Sequence, residues 1–411
     1  MKITVNKKEF KNALEIAAKV ASGTGRIREY DRVYIGVDSS KLDGIFVFGK
    51  GSGSAVQIAL RAEMLQMFTI RYDELIEFCA KLVLDELKTY DTAEVVFSIV
   101  RIAHKSANRN DRHLYIGSLT ENTECDNARI IKNDFAFVNS KAAYIIMKPA
   151  SELTSAIKST FPFIQKPDAK FTDEYWACGV HLSATSDSVT LKATDRHTLA
   201  HVEMQGDFVK KGDDFEITLK PGALNVFVNN VIKKGDYNAI IISPGAENEH
   251  CIIQYRNCTF SVPKINQRYQ YGKALVSMTC DYSIILPKSE FIDALKGFIK
   301  DCGKEHGAYF KLKTHVDYIA FKDTKGLGFE YGVAGKKQYG KTGFEIGFNA
   351  PMLLSVLKAI QWSGDEVEFS IHLNKDKKYA CAGALFTNPN DENEDVKASW
   401  YVCEVMLNTR E

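Results

Sequence analysis

One segment of the sequence has the spacing of a phosphate-binding loop. Gly335-Lys336-Lys337-Gln338-Tyr339-Gly340-Lys341-Thr342 fits the pattern G-x-x-x-x-G-K-[S/T], in which backbone N–H groups and a lysine hold nucleotide phosphates. That loop needs a helix directly after it, because the amides at the helix N-terminus complete the phosphate site. Here residues 343–348 alternate in polarity like a strand, and helix signals begin only at Pro351. We therefore predict a basic hairpin loop and keep a P-loop nucleotide hydrolase as the alternative function.

Two other groups of side chains could carry chemistry. Asp195 and His197, at i and i+2, would face the same side of a strand. The sequence places no Ser or Cys nucleophile beside them, so we expect no catalytic triad. His250, Cys251 and Cys258 lack the spacing and the fourth ligand of a zinc site. We predict a protein that is not an enzyme and that has no cofactor and no metal ion.

The elements that must position these residues repeat along the chain. A short strand followed by an amphipathic helix is predicted three times, where apolar residues change from alternation to i, i+3, i+4 spacing. The three copies contain Glu9-Phe10, Glu152-Leu153 and Glu290-Phe291, about one third of the 411 residues apart. The chain therefore contains an internal repeat.

A second, weaker unit lies inside each third. Strand-like segments at 68–70, 215–217 and 344–346 each precede a predicted helix. The apolar residues that predict these helices are Leu75, Phe78 and Cys79, then Leu224, Phe227 and Val228, then Leu353, Val356 and Leu357. Pro221 and Pro351 stand where two of the helices would begin, which suits the fixed φ of proline. Half-buried strands are predicted afterwards at 93–99, 238–243 and 366–371.

The repeat predicts an α+β protein built from three tandem domains, each with two helices packed on antiparallel sheets. Joints near 138–144 and 279–282 give domains 1–140, 141–280 and 281–411. Neither joint is rich in Pro or Gly, so we expect fixed packing between domains. The stretch Gly49-Lys50-Gly51-Ser52-Gly53 is predicted to be a flexible turn. A triplicated binding protein that forms no ring remains an alternative.

Composition limits the class of protein. The net charge is +1, from 53 Lys+Arg against 52 Asp+Glu, which excludes a simple basic DNA-coating protein. Nine cysteines are scattered without a C-x-x-C pair, as is typical of a reducing cytoplasm. No stretch approaches the roughly 20 apolar residues of a membrane span, and the first residues carry no apolar signal region. We predict a soluble, intracellular protein with no membrane partner.

Four segments resemble one family. Ala193-Thr194-Asp195-Arg196-His197-Thr198-Leu199-Ala200 resembles the A-T-D-G-H-R-L-A segment in the second domain of the bacterial β sliding clamp, the processivity subunit of DNA polymerase III. Phe344-Glu345-Ile346-Gly347-Phe348-Asn349 resembles its E-I-G-F-N segment. Met1-Lys2-Ile3-Thr4-Val5 and Trp400-Tyr401-Val402-Cys403 are similar to its first and last strands. All four occur in order over three repeats, so the resemblance spans nearly the whole chain and suggests a divergent or phage-encoded member.

The resemblance implies an architecture and a function. Three DNA-clamp domains per chain would close as a head-to-tail homodimer ring, with helices lining the hole and sheets outside. The ring would encircle double-stranded DNA without reading its sequence and would tether a replicative DNA polymerase, conferring processivity in DNA replication. Phe298 and Ile299 fall where the family's dimer contact would lie.

The charge of the predicted helices agrees with a DNA-filled hole. Five of the six helix windows are net positive, and only the window 72–88 is net negative. A mild positive field attracts phosphates without base contacts. Arg26 lies in a loop that resembles a family loop with a basic residue directed at DNA. The predicted DNA-facing residues are Lys11, Arg26, Arg28, Lys158, Lys166, Lys233 and Lys296.

The family's polymerases and clamp loader insert a short peptide motif between domains two and three. Matching the motifs residue by residue gives a pocket of Ala177 (from the preceding strand), Thr194, Arg196, His197, Thr198, Leu199, Gln270, Leu275 and Val402. Arg196 replaces a glycine of the family, Thr198 an arginine and Gln270 a proline. We therefore expect the pocket to prefer a peptide different from the usual one.

Overall fold

The fold is described by a computed structural model. The described residues are 2–23, 26–29, 31–37, 44–51, 53–66, 74–100, 111–117, 122–132, 143–147, 149–168, 170–205, 208–233, 235–245, 250–270, 280–302, 309–324, 328–360, 364–372, 383–389 and 396–403. Both predicted domain joints lie partly outside them. The chain divides into two compact units, unit 1 being Met1–Thr154 with Asp207–Lys264 and unit 2 being Ser155–Gly206 with Ile265–Glu411.

Six α-helices occur in the described residues. They are α1 (Lys7–Ser22), α2 (Ala80–Glu86), α3 (Ala150–Thr160), α4 (Pro221–Val226), α5 (Lys288–Cys302) and α6 (Ala350–Ala359). A π-helical turn, Phe227–Val231, continues α4. Asn6 and Asn349 cap α1 and α6, because their side chains accept hydrogen bonds from backbone N–H groups in the first turn. The predicted proline starts of α4 and α6 are confirmed.

Fourteen of the described strands belong to unit 1. They are β1 (Lys2–Asn6), β2 (Arg32–Val37), β3 (Gly44–Gly51), β4 (Ser54–Gln66), β5 (Glu74–Cys79), β6 (Glu94–Val100), β7 (Asp111–Gly117), β8 (Asn122–Lys132), β9 (Tyr144–Met147), β13 (Phe208–Lys211), β14 (Phe215–Leu219), β15 (Ile240–Ser243), β16 (His250–Tyr255) and β17 (Cys258–Pro263). Thirteen strands form one antiparallel sheet in the order β1-β6-β7-β8-β5-β2-β3-β4-β17-β16-β15-β9-β13. A further pairing of β1 with β4 closes the first eight strands on themselves.

Twelve of the described strands belong to unit 2. They are β10 (Val180–Ala184), β11 (Val189–Thr194), β12 (Thr198–Met204), β18 (Cys280–Pro287), β19 (Tyr309–Thr314), β20 (Tyr318–Asp323), β21 (Glu330–Ala334), β22 (Lys336–Gly340), β23 (Glu345–Asn349), β24 (Glu366–His372), β25 (Gly383–Thr387) and β26 (Val396–Cys403). Eight of them are hydrogen-bonded in the order β10-β11-β12-β26-β25-β24-β18-β22, and four form the sheet β21-β20-β19-β23. Phe291, Phe298 and Phe321 are fully buried where α5 packs in this unit. The α+β class is confirmed.

One hydrogen bond recurs in all three thirds of the chain. The first N–H of each long first helix donates to the carbonyl oxygen just before the alternating strand that follows. The pairs are Lys7–Ala93 at 2.9 Å, Ala150–Asn238 at 3.0 Å and Lys288–Asp365 at 2.5 Å. The strand pairs β1–β6, β9–β15 and β18–β24 are antiparallel in the same way. The repeated contact supports the three-domain division, which stays a prediction.

One helix prediction in unit 1 is wrong. Leu75, Phe78 and Cys79 lie in β5 and not in a helix, and α2 begins one residue later, at Ala80. The strand is hydrogen-bonded to β2 and β8 and buries both faces, so its apolar residues imitate helical spacing. The preceding segment, 68–70, lies outside the described residues.

The predicted flexible turn at 49–53 is partly a strand. Gly49 and Gly51 belong to β3, beneath α1. A Cβ atom at Gly49 would stand 2.1 Å from the Ala17 carbonyl oxygen, and one at Gly51 would stand 1.9 Å from that of Ala21. Glycine is therefore needed here for close approach of helix and strand.

Candidate functional site

A tight turn joins β11 to β12. The Asp195 Oδ1 accepts hydrogen bonds from the backbone N–H groups of His197 (2.9 Å) and Thr198 (2.6 Å) and from the Thr198 hydroxyl (2.8 Å). The Thr194 hydroxyl donates to the Thr198 carbonyl oxygen at 2.5 Å. Asp195 therefore closes an Asx-type turn. The predicted strand position of Asp195 and His197 is wrong, and the carboxylate has a structural role.

Arg196 has an unusual backbone conformation in this turn. Its φ is +75°, in the left-handed region that favours glycine. The guanidinium carbon of its side chain lies 4.4 Å from the centre of the Phe171 ring. Contacts of this kind are worth about 0.5–1 kcal/mol at exposed sites. The contact therefore offsets part of the conformational free energy that an arginine costs at this position, where the similar segment of the β sliding clamp family has glycine.

Ala177 lies in a 3-10 turn, Trp176–Cys178, and not in a strand as predicted. The Cys178 N–H donates to the Tyr175 carbonyl oxygen at 2.8 Å, which closes the turn before β10 begins at Val180. The turn contacts β11, the strand that carries Thr194. Ala177 is fully buried, so it supports the site from beneath.

The segment 267–270 docks against this turn. The Gln267 Oε1 accepts a hydrogen bond from the Trp176 backbone N–H at 2.9 Å. The Tyr269 ring packs edge-on to Trp176, with centroids 5.1 Å apart, and stacks on His181 at 4.3 Å. Gln270 follows and is exposed. Leu275, the next predicted pocket residue, lies outside the described residues.

The remaining predicted pocket residues line up across β12. Thr198 pairs in register with Val402 of β26, and Leu199 pairs with Thr194 of β11. Thr194, Thr198 and Leu199 are buried. Among the predicted residues with described side chains, only Arg196, His197 and Gln270 are exposed. The exposed part of these residues is polar, and their role as a peptide pocket stays a prediction.

A cleft of about 350 Å³ lies beside Phe171. Its lining residues are Lys170, Phe171, Thr172, Glu174, Tyr175, Asn266 and Gln267. The rings of Phe171 and Tyr175 pack at 4.6 Å and form its apolar side. The sequence analysis did not predict this cleft, because none of the predicted pocket residues lines it. The three aromatic residues within 171–176 were the available signal.

Two histidines flank Lys192 in register across β10, β11 and β12. Burial, and then the Lys192 charge, together lower the pKa of His181 to about 4. Burial and then Lys192 lower the pKa of His201 to about 4 as well, although Glu203 acts in the opposite direction. Both imidazoles are therefore neutral at physiological pH and suit packing more than proton transfer.

The phosphate-loop match forms a strand instead of a loop. Lys336–Gly340 is β22, which pairs with β18 through an irregularity near Ser283. A Cβ at Gly335 would stand 2.4 Å from the Ile285 carbonyl oxygen, and one at Gly340 would stand 1.9 Å from that of Asp281. Backbone packing explains both glycines. The predicted hairpin loop is wrong, and the helix that a P-loop requires does not follow, because β23 comes next.

The predicted DNA-facing residues lie on several elements. Arg26, Arg28, Lys166, Lys233 and Lys296 are exposed. Lys11 and Lys158 are half-buried. Lys11 stands 4.0 Å from Glu15 and Lys296 stands 2.8 Å from Asp293, both within one helix. Such exposed pairs are weak, so both lysines can still attract an anion.

The net charge of the one acidic helix window, 72–88, changes once the start of α2 is corrected to Ala80. Glu74 and Glu77 belong to β5 and are not on a helix. Helix α2 and the turn after it contain Lys81 and Lys88 against Asp85 and Glu86, so this segment is neutral. Asp85 forms ion pairs with both lysines, at 2.9 and 2.6 Å, and the hydrogen bonds from Lys88 and Lys81 lower its pKa.

Phe298 does not fit the predicted dimer contact. Its side chain is fully buried between Phe310, Phe321 and Tyr331, with ring centroids 5.6 to 6.0 Å away. A side chain without exposed surface has nothing to offer a partner. Ile299 is half-buried and keeps some surface, so it alone of the two stays a predicted contact.

The described residues contain no group of three or more His, Cys, Asp or Glu that could hold a metal ion. Burial raises the pKa of the Cys251 thiol to about 12 and that of Cys258 to about 11. Neither thiol is therefore a ready ligand or nucleophile. None of the helices in the described part of the chain is long and apolar enough to cross a membrane.

Comparison with known proteins identifies the fold. No family model and no curated protein matches the sequence. The structure is similar to the DNA polymerase sliding clamp of Bacillus subtilis, with a TM-score of 0.77, 15% identity and 99% of each chain covered. It is also similar to the griselimycin-bound DnaN sliding clamp of Pseudomonas aeruginosa (0.74, 17%, 99% and 100%) and to the DNA polymerase III β subunit of Thermotoga maritima (0.72, 15%, 99% of each). The chain has the sliding-clamp fold over its full length.

Proposed function

We propose that this chain is a sliding clamp of the DNA polymerase III β type, a non-catalytic subunit that encircles duplex DNA and tethers a polymerase. The observation that carries the proposal is the structural likeness to DNA polymerase sliding clamps over 99% of both chains. A shared segment could reflect one common module, whereas this likeness extends along nearly the whole chain. The cytoplasm is the compartment that this function requires.

The proposed ring is a head-to-tail homodimer of three-domain chains, with boundaries at 140 and 280. A native mass of twice the 46.1 kDa chain is expected. The chain is mildly basic on its first helices and neutral on α2, so a polyanion in the hole would meet no strong repulsion. An open monomer at micromolar concentration would contradict the ring.

Partner binding is proposed at the turn that carries Arg196, with Gln270 and the neighbouring cleft beside it. Short peptide motifs of a polymerase and of a clamp loader are the expected ligands. A different specificity from the usual one is supported by Arg196, whose side chain occupies the space over Phe171. Peptide titration tests this, and tight binding of an ordinary bacterial clamp-binding peptide that Leu199→Asp leaves unchanged would exclude the site.

Encirclement can be tested without a loader. A linear duplex is fixed to a bead at one end, the protein is allowed to thread over the free end, and that end is then blocked by a bulky tag. A ring is retained in about 0.5 M salt, which releases groove-bound proteins, only when the end is blocked. It leaves after a restriction cut. Equal release with and without the block would refute the proposal.

A further inference from the structure

The outer face of α4 and its π-helical turn carries side-chain amides, and an exposed lysine follows the segment. The residues of this segment that face the core are Ala223, Leu224, Val226, Phe227 and Val228. Positions 222, 225 and 229 are exposed and spaced by three or four residues, so they form one stripe on this segment. Asn225 and Asn229 are its polar members, Asn230 is exposed beside them, and Lys233 is exposed just after the extended residue Ile232 that ends the segment.

The stripe is free of carboxylates. No Asp or Glu occurs between Glu216 and Asp236. The Asp236 side chain is only 7% exposed and pairs with Arg256 at 3.2 Å. A hydrogen bond from the Tyr255 hydroxyl, with others from Asn238, lowers the pKa of Asp236 to about 2. Its charge is therefore compensated locally, and a polyanion near the stripe would meet little repulsion.

The two asparagines present donors to solvent. The Asn229 Nδ2 donates to the Asn225 Oδ1 at 2.7 Å, one helical turn apart. Because that bond uses the acceptor of Asn225, its own Nδ2 keeps two N–H groups for a ligand. Phosphate oxygens only accept hydrogen bonds, so a phosphate backbone matches this arrangement.

Cationic side chains stand near both ends of the stripe. Helix α1 packs against α4, and a Cβ at Gly222 would be 3.7 Å from the Gly23 carbonyl oxygen. Arg26 and Arg28, both exposed, come three and five residues after Gly23 in the sequence. Lys233 is exposed two residues after the π-helical turn ends at Val231.

We infer that Asn225 and Asn229 form a charge-neutral contact to the DNA phosphate backbone, between the cations of the 26–28 loop and Lys233. The inference rests on the proposed function and adds a distinct kind of contact to it. A lysine or arginine contact releases a counterion and weakens as salt rises, whereas an amide contact does not. The neutral part of the binding therefore persists where the cationic part is screened.

The test is the salt dependence of binding to a short fluorescent duplex. Asn225→Ala with Asn229→Ala should weaken binding about tenfold at every salt concentration, with the slope of log K against log salt unchanged. Arg26→Ala with Lys233→Ala should weaken binding mainly at low salt and reduce the slope by about 0.9 for each phosphate that is no longer neutralised. Gln205→Ala, at an exposed side-chain amide of unit 2 outside the proposed contacts, is the matched control. Circular dichroism checks that each variant is folded.

Three outcomes separate the two proposals. If the double asparagine variant binds with unchanged affinity, or with a changed salt slope, the inference about the asparagines is wrong. The sliding-clamp proposal still stands in that case if the wild-type protein is retained on blocked DNA. If the wild-type protein binds the duplex but is not retained on blocked DNA, encirclement is wrong. The affinity of the asparagine variant then still shows whether Asn225 and Asn229 contact the phosphate backbone. Wild-type protein that neither binds nor is retained overturns both. Asn225→Asp with Asn229→Asp should weaken binding further, since it adds charge without changing shape.

Discussion

The Arg196 guanidinium lies 4.4 Å from the centre of the Phe171 ring, and the Arg196 backbone has a φ of +75°. One contact therefore joins the β11–β12 turn to the aromatic wall of the cleft. The same residue combines an unfavourable backbone conformation with a favourable side-chain contact.

A double-mutant cycle measures this pair. Arg196→Gly should change the free energy of unfolding by less than about 1 kcal/mol, because relief of the left-handed conformation offsets removal of the cation–π interaction. The coupling of Arg196→Gly with Phe171→Ala should be about 0.5–1 kcal/mol in urea unfolding. His197→Ala, in the same turn, should show no coupling with Phe171→Ala. Equal coupling for both would assign the effect to the turn itself.

Gly340 and Gly343 separate steric clash from backbone strain. Both have positive φ, but a Cβ at Gly343 meets nothing within 4 Å, whereas one at Gly340 meets the Asp281 carbonyl oxygen at 1.9 Å. Gly343→Ala should cost about 1 kcal/mol of unfolding free energy, and Gly340→Ala clearly more. Chemical denaturation gives both values. Loss of nucleotide binding in Gly340→Ala, with stability intact, would instead favour the phosphate-loop function.

Acid should destabilise the fold through His181 and His201. Their folded pKa of about 4 lies below the ordinary 6.5, so the unfolded chain binds more protons between these values. Their contribution is complete above pH 6.5 and is lost as the pH falls towards 4, by up to about 1.4 kcal/mol per pH unit for each group. Urea midpoints measured across this range should fall less steeply for His201→Gln than for the parent. His197→Gln, at an exposed histidine, controls for the His-to-Gln substitution itself. An equal pH dependence of the urea midpoint in all three proteins would contradict the prediction.

Phe298 and Ile299 should differ in what they stabilise. Phe298→Ala removes a fully buried ring and should cost about 3–5 kcal/mol of unfolding free energy. Ile299→Asp should cost less stability and shift the dimer towards monomer in sedimentation experiments. Phe291→Ala, another fully buried ring on α5, is the control for core loss. A dimer unaffected by Ile299→Asp would remove this residue from the interface.

Local chemistry made several elements of the fold predictable. The first helix of each third follows from apolar spacing, and the starts of α4 and α6 follow from prolines at their first turns. The Ala193–Ala200 segment was singled out because the order of its residues resembles a known motif, although its turn was not predicted. These signals act within a few residues of each other, so the sequence alone contains them.

Contacts between distant residues decided the rest. β5 became a strand because β2 and β8 hydrogen-bond to both of its edges, although its apolar spacing imitates a helix. Lys336–Gly340 became a strand because it pairs with β18 and its glycines let the backbones approach. Phe171 and Arg196 are 25 positions apart, and only the packing of their segments brings the ring under the guanidinium. Sequence periodicity records which residues are apolar, and tertiary structure determines which neighbour covers them.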